Sequence, residues 1–144
     1  MEQELTVSYA AYLREQNLTD DLYSAYQKRT GLSDAEFWCI FSVYNGSCTY
    51  QHEISRHMFM NKQTVNSALM HLVKKGLIQM EIPPENQRLR RIVLTSQGLA
   101  FSHQYLDFID DVGKRAWESL SHEERRAVLS GMRKINRALS DAVN

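Results

Sequence analysis

Apolar residues recur along this chain at two periods, and the change from one to the other sets out its architecture. From about Leu5 to Tyr26, Leu5, Tyr9, Tyr12, Leu13, Leu22, Tyr23 and Tyr26 fall at mostly helical spacings, which predicts an amphipathic helix with a weak point at Asn17-Leu18-Thr19-Asp20. Gly31 ends that pattern, and Ser33 with Glu36 has the spacing of a capping box, so a second helix is predicted to start there. Its Phe37, Ile40, Phe41 and Tyr44 make one apolar stripe, while Trp38, Cys39 and Val43 spread apolar surface around the rest. Such a helix has to be covered on more than one side. Asn45-Gly46-Ser47 is turn chemistry, a short helix with Ile54 and Met58 inward begins near Thr49 or Tyr50, and Phe59-Met60 ends it.

Asn61 suits a helix N-cap, and Val65, Ala68, Leu69 and Leu72 follow at i, i+3, i+4 and i+7, which leaves Lys62, Gln63, Asn66, Ser67, Met70 and His71 on the outer sides. Lys74 and Lys75 complement the negative end of that helix, and Gly76 suits the left-handed position after it. The period then drops towards two. Leu77 to Ile82 reads as a strand, Pro83-Pro84-Glu85-Asn86 as a turn, and Arg91-Ile92-Val93-Leu94 as the returning strand. Thr95 can cap a long helix with Leu99, Tyr105, Leu106, Phe108, Ile109, Val112, Ala116 and Leu120 on a broad apolar face. Ser121 and Glu124 form a second capping box, which opens a last helix with Val128, Leu129, Met132, Ile135, Leu139 and Val143 on one stripe.

The fold class predicted is mainly α with a small β component (α+β): a winged helix-turn-helix lobe at 32–95, flanked by terminal helices at 1–31 and 96–144. Those terminal helices carry more apolar surface than so small a lobe needs, so a homodimer held by a layer of terminal helices is expected. A chain of 144 residues is about one domain's worth. With no run of about 18 apolar residues and no signal-peptide pattern, it is expected in the cytoplasm and away from membranes.

A formal charge of zero argues at first against a polyanionic partner, but the charges are unevenly placed. From Arg56 to Arg91, seven basic residues stand against Glu81 and Glu85, a local surplus of five that the rest of the chain balances. One basic face on an otherwise solvating body fits a nucleic-acid partner. Arg88, Arg90 and Arg91, crowded on one hairpin, repel one another, and phosphates would relieve that repulsion.

Catalytic and metal chemistry find little support. His52 and His57 lie at i and i+5, about 140° apart around a helix, whereas zinc-binding histidines at i and i+4 lie about 40° apart. There is no phosphate-binding glycine loop, nucleophile elbow or paired carboxylates on a strand end, so no enzyme activity, metal or cofactor is expected. Cys39 and Cys48 lack ligand spacing and neighbouring cations; Cys39 reads as a small core residue and Cys48 as an ordinary loop residue, with a peroxide-sensing thiol as the alternative.

With these elements in place, the sequence resembles the MarR family of bacterial transcriptional regulators over nearly its whole length. The resemblance is carried by Leu32-Ser33 with Glu36, by Glu53-Ile54, by Asn61-Lys62-Gln63-Thr64-Val65-Asn66, by Leu72 through Ile78, by Arg88, and by Ile92 through Gly98. It implies a homodimer with interlocked first and last helices, each subunit offering one winged helix to half of a pseudo-palindromic operator, with half-sites about one helical turn apart. It further implies a crevice for small aromatic effectors, for which Tyr9, Tyr12, Trp38 and Cys39 are the candidates. Two positions depart from the family pattern. Asn86 replaces the Asp that steadies the wing two residues before its Arg, and Ser67 stands where family members often have an Arg.

The expected function is a sequence-specific regulator of transcription, a repressor that occupies a promoter in double-stranded DNA and is released by a small aromatic ligand. Gln63, Asn66, Ser67 and His71 would face bases, Lys62, Thr64, Arg90 and Arg91 would hold phosphates, and Arg88 would enter the minor groove. The alternative from another class is a ligand- or protein-binding module that keeps the fold without using DNA, which Ser67 and Asn86 favour.

Overall fold

A computed structural model describes residues 5–58 and 60–143. The chain forms two compact units, one ending at Leu106 and the other beginning at Asp107.

In the first unit, α1 spans Tyr9–Lys28. It starts at Tyr9 and not at Leu5 because the Ser8 hydroxyl accepts from the Ala11 amide (3.1 Å) and fixes the N-cap there, leaving Leu5 and Val7 outside the helix and exposed. The helix runs through Asn17–Asp20 without a break. Gly31, at φ +72°, turns the chain into α2, Asp34–Tyr44, whose capping box is complete. From Glu36 to Tyr44 no residue of α2 is exposed, as its all-round apolar character requires. Gly46 (φ +81°) and the Asn45 carboxamide, which accepts from the Ser47 amide (2.9 Å), then turn the chain into α3, Gln51–Met58, and α4, Lys62–Lys74. The expected role of Phe59 in ending α3 lies outside the described residues. Cys48 is not an ordinary loop residue: it is 2% exposed and belongs to the core.

α4 ends in a Schellman motif. The Leu77 amide reaches Leu72 O (3.0 Å) and the Gly76 amide reaches Val73 O (2.9 Å), with Gly76 at φ +76°. That motif occupies Leu77, so β1 begins one residue later than the alternation suggests, at Ile78–Glu81. It pairs antiparallel with β2, Arg91–Leu94, from Ile78 opposite Leu94 to Glu81 opposite Arg91. The segment before α3 adds a short third edge: the Ile92 amide bonds Thr49 O (2.9 Å), and Tyr50 bridges to Arg91. Phe37, Ile40, Ile54, Val65, Leu69, Leu72, Ile78 and Leu106 fill the core beneath.

The Thr95 hydroxyl caps α5, Ser96–Phe101, by accepting from the Gly98 amide (3.0 Å), and it also donates to Gly76 O. Residues Ser102–Leu106 form a π-helical turn that the pattern did not reveal. Ser102 Oγ donates to Gly98 O (2.7 Å) within it. Of the apolar face expected here, Leu106 is buried but Leu99 is exposed.

The second unit holds α6, Asp107–Glu118, and α7, His122–Val143, the latter opened by the Ser121–Glu124 capping box. The α7 stripe of Val128, Leu129, Met132, Ile135, Leu139 and Val143 is exposed, as is Phe108 on α6. No helix among the described residues is long and apolar enough to cross a membrane.

Candidate nucleic-acid interface

The interface is built on α4. Asn61 Oδ1 accepts from the Thr64 amide (2.7 Å), which sets the helix start. Val65, Ala68, Leu69 and Leu72 are all buried, so Lys62, Gln63, Thr64, Asn66, Ser67 and His71 must stand on the opposite side, and every one of them is exposed. That side borders an open cleft of about 450 Å³ whose other wall is Ser33 and Ala35 at the start of α2.

A buried carboxylate ties the far end of α4 to α2. Glu36 caps α2 through the Ser33 amide, and both its oxygens accept from Lys75 Nζ at 3.0 Å. Burial alone would raise its pKa, but the bonds from Lys75 and Ser33 outweigh burial and hold it below the ordinary value. The sequence assigned Lys75 only to the helix dipole; its partner lies 39 residues away, and no local signal shows the pair. Glu53 anchors the start of α3 in a similar way. It accepts from the Thr49 and Tyr50 amides (3.0 and 2.8 Å), and those two bonds lower its pKa.

The wing sorts its three arginines. Arg91 is half-buried and turned to the wing's own acids, Glu85 (3.3 Å) and Glu81 (3.9 Å), with its guanidinium over the Tyr50 ring (6.0 Å). The repulsion that made it a phosphate candidate is therefore already relieved within the chain. Arg90 is exposed and folds back, donating to Gln87 O and Leu89 O, both at 3.0 Å. Arg88 is exposed and its guanidinium has no partner among the described residues. Asn86 closes the turn ahead of it: Oδ1 accepts from the Arg88 amide (3.0 Å), a bond that a carboxamide makes as readily as a carboxylate.

Gln51 was absent from the sequence-based site, yet its amide reaches Arg90 O (3.0 Å) and its Nε2 reaches Asn66 Oδ1 (3.4 Å). The wing, the start of α3 and the outward face of α4 are thereby linked.

The effector candidates are placed differently. Tyr9 is 74% exposed and lies beside Tyr12 at the start of α1, their rings 6.3 Å apart. Trp38 packs edge-on to Phe37 and Phe41, and with the Gln27 carboxamide turned so that its oxygen faces the indole, the Trp38 N–H donates to it (3.3 Å). Cys39 is fully buried and offers a ligand no surface; burial first, then Cys48 and Glu36, push its thiol up to about 12. His52 stacks on Tyr50, and among the described residues no cluster of His, Cys, Asp or Glu could hold a metal ion.

Comparison with known proteins extends the geometry. The MarR family model matches residues 32–89, the stretch from the α2 cap to the wing. NMB1585, a MarR family regulator from Neisseria meningitidis, superposes with a TM-score of 0.76 at 15% identity, over 95% of this chain and 97% of that one. MepR from S. aureus in its DNA-binding conformation gives 0.75 at 20% identity, over 92% and 99%. The S. aureus MepR–DNA complex gives 0.70 at 21% identity, over 94% and 99%. No curated protein matches the sequence.

Proposed function

We propose that this chain, a MarR family winged-helix protein, regulates transcription by binding a pseudo-palindromic DNA operator as a homodimer. In each subunit α4 enters the major groove and the wing tip the adjacent minor groove. The observation that carries this reading is the division of α4: four buried apolar residues fix its inner side, while its outer side presents amides, hydroxyls, an imidazole and Lys62 to solvent. Gln63, Asn66, Ser67 and His71 face base edges, Lys62 and Thr64 face phosphates, and Arg88 enters the minor groove. Arg90 supplies charge beside the backbone; Arg91 holds the wing. The domain plan follows: 32–95 is the DNA lobe, and 1–31 with 96–144 form the dimerisation layer. Exposed Leu18 and Leu22 on α1 and exposed Leu129, Met132 and Leu139 on α7 support that layer, since apolar stripes of this length are seldom left in water. Occupying a promoter makes the protein a repressor, it works in the cytoplasm, and small aromatic molecules that bind near Tyr9, Tyr12 and Trp38 release it.

Selection from a random duplex pool should return a two-fold site with half-sites about one turn apart. On that site Arg88→Ala should flatten the slope of log affinity against log salt by about two per dimer, one for each wing. Arg91→Ala should instead lower thermal stability. An Arg88→Ala slope equal to that of the parent removes the wing from the interface.

A further inference from the structure

Of the apolar residues of α4, Val65, Ala68, Leu69 and Leu72 are buried and Val73 is partly covered, whereas Met70 is 49% exposed. The sequence placed Met70 on the outer side of this helix without giving it a role. At about 100° per residue, Gln63, Ser67, Met70 and Lys74 lie roughly 150–170° from the centre of the buried row, while Asn66 and His71 lie roughly 110° from it. Asn66 borders α3 on one flank, where Gln51 Nε2 reaches its Oδ1 (3.4 Å), and His71 borders the cleft beside the start of α2 on the other. The crest between those flanks is made of Gln63, Ser67, Met70 and Lys74, all exposed, and Met70 is its apolar member.

A helix laid in the major groove brings the row opposite its buried face closest to the base edges. Water solvates the polar members of such a row, but it gains nothing from the Met70 thioether, whose burial is favourable wherever an apolar partner is offered. Along the floor of the major groove that partner is the 5-methyl group of thymine; the other features there are hydrogen-bond donors and acceptors. Apolar contact is non-directional, and an unbranched side chain with three rotatable bonds can follow the methyl without being held in one rotamer.

We propose that Met70 is a base-reading residue: it packs against the 5-methyl group of one thymine in each half-site, so that thymine is favoured there over cytosine, the pyrimidine that lacks the methyl. This deepens the reading of α4 as the helix that enters the major groove and rests on it. The crest then reads one position by apolar contact through Met70, beside the positions that Gln63 and Ser67 read by hydrogen bonds.

The test deletes the methyl from the DNA and the thioether from the protein. Deoxyuridine in place of thymine keeps every hydrogen-bonding group and removes only the methyl. On a duplex returned by selection from a random pool, each thymine is replaced in turn, and affinity is measured for the parent, Met70→Ala and Met70→Leu. With the parent, replacement of one thymine per half-site should weaken binding about fourfold, the transfer value of one buried methylene. With Met70→Ala the same replacement should be silent, and with Met70→Leu, which keeps apolar bulk, the sensitivity should remain. Alanine is a strong helix former at an exposed position, so Met70→Ala should melt with the parent and its effect on binding is not one of folding. Losses that are equal for the parent and Met70→Ala at every thymine, or a parent indifferent to every methyl, overturn the proposal while DNA binding stands. Failure of the parent to retain any duplex at low salt overturns the DNA reading instead, and the two failures are thus told apart.

Discussion

Replacing Glu36 separates two jobs that its carboxylate performs at once. One oxygen accepts from the Ser33 amide (3.4 Å) to close the α2 capping box, and both accept from Lys75 Nζ (3.0 Å) at the end of α4. Glu36→Gln keeps an oxygen for the Ser33 amide but removes the charge; Glu36→Ala removes both functions. A hydrogen bond to a charged group contributes about 1.5–3 kcal/mol, and the lower end applies to a partner that is as open to water as Lys75, whose side chain is 43% exposed. Glu36→Gln should therefore cost about 1.5 kcal/mol. Loss of the cap adds about 1 kcal/mol, which brings Glu36→Ala to about 2.5 kcal/mol. Urea unfolding at constant slope measures both as shifts in midpoint.

Acid gives an independent check. The folded pKa of Glu36 lies below its ordinary value of 4.5, so its charge stabilises the fold fully above that pH and ceases to do so as the pH falls through the folded value. The gap between the parent and Glu36→Gln should accordingly be constant near neutrality and close on acidification below about pH 4.5. A gap that persists unchanged to pH 3, or equal stability of the Gln and Ala variants at pH 7, would refute the division of labour.

Two further outcomes follow from packing and burial. A Cβ on Gly98 would lie 1.9 Å from Leu77 O, a backbone atom that cannot swing aside, so Gly98→Ala should lose at least the 1–3 kcal/mol or so typical of overpacking and lower the melting temperature clearly; an unchanged melt would show that α5 does not sit tightly against Leu77. With its thiol pushed up to about 12 by burial, Cys39 should resist iodoacetamide at pH 8 in the native protein and react only after unfolding, and Cys48, raised in the same direction by burial and then Glu53, should be slowed as well. Native labelling of Cys39 at the rate of a free thiol would restore the redox-sensor reading.

Most of the lobe was legible because its signals are local. As caps and turns, Asn61, Ser33 with Glu36, Thr95, Gly31 and Gly76 act within four residues of where they stand, and the i, i+3, i+4, i+7 set of α4 is buried in full. What escaped the sequence depends on side chains far apart along the chain. Lys75 meets Glu36, Gln51 meets Asn66, and Arg91 meets Tyr50 only after the hairpin has folded back. The π-helical turn at Ser102–Leu106 escaped for a different reason: its extra residue shifts the helical phase within a single turn, and one such shift inside a broad apolar face leaves no gap in the pattern. The start of α1 was placed too early because apolar spacing alone reaches back to Leu5, whereas the Ser8 cap sets the boundary at Tyr9.

On the proposed reading, the ion pairs account for how a chain of zero formal charge would face a polyanion. Acids near the basic lobe are spent on its scaffold: Glu36 holds Lys75, while Glu81 and Glu85 hold Arg91. Each of these pairs neutralises a cation of the scaffold, Lys75 at the end of α4 or Arg91 on the wing, and none involves Lys62 or Arg88. Lys62 at the start of α4 and Arg88 at the wing tip have no carboxylate partner among the described residues, and neither have Arg56, Lys74 and Arg90, so the lobe keeps a positive surplus that includes the outward ends of α4 and the wing. Net charge is thus a poor guide here, because cancellation occurs within the scaffold and the interface keeps its own sign. The same arrangement limits the salt dependence. Arg88 is available for counter-ion release on binding and Arg91 is largely committed to its carboxylates, which is why the two wing arginines, three residues apart, should part company when each is replaced by alanine.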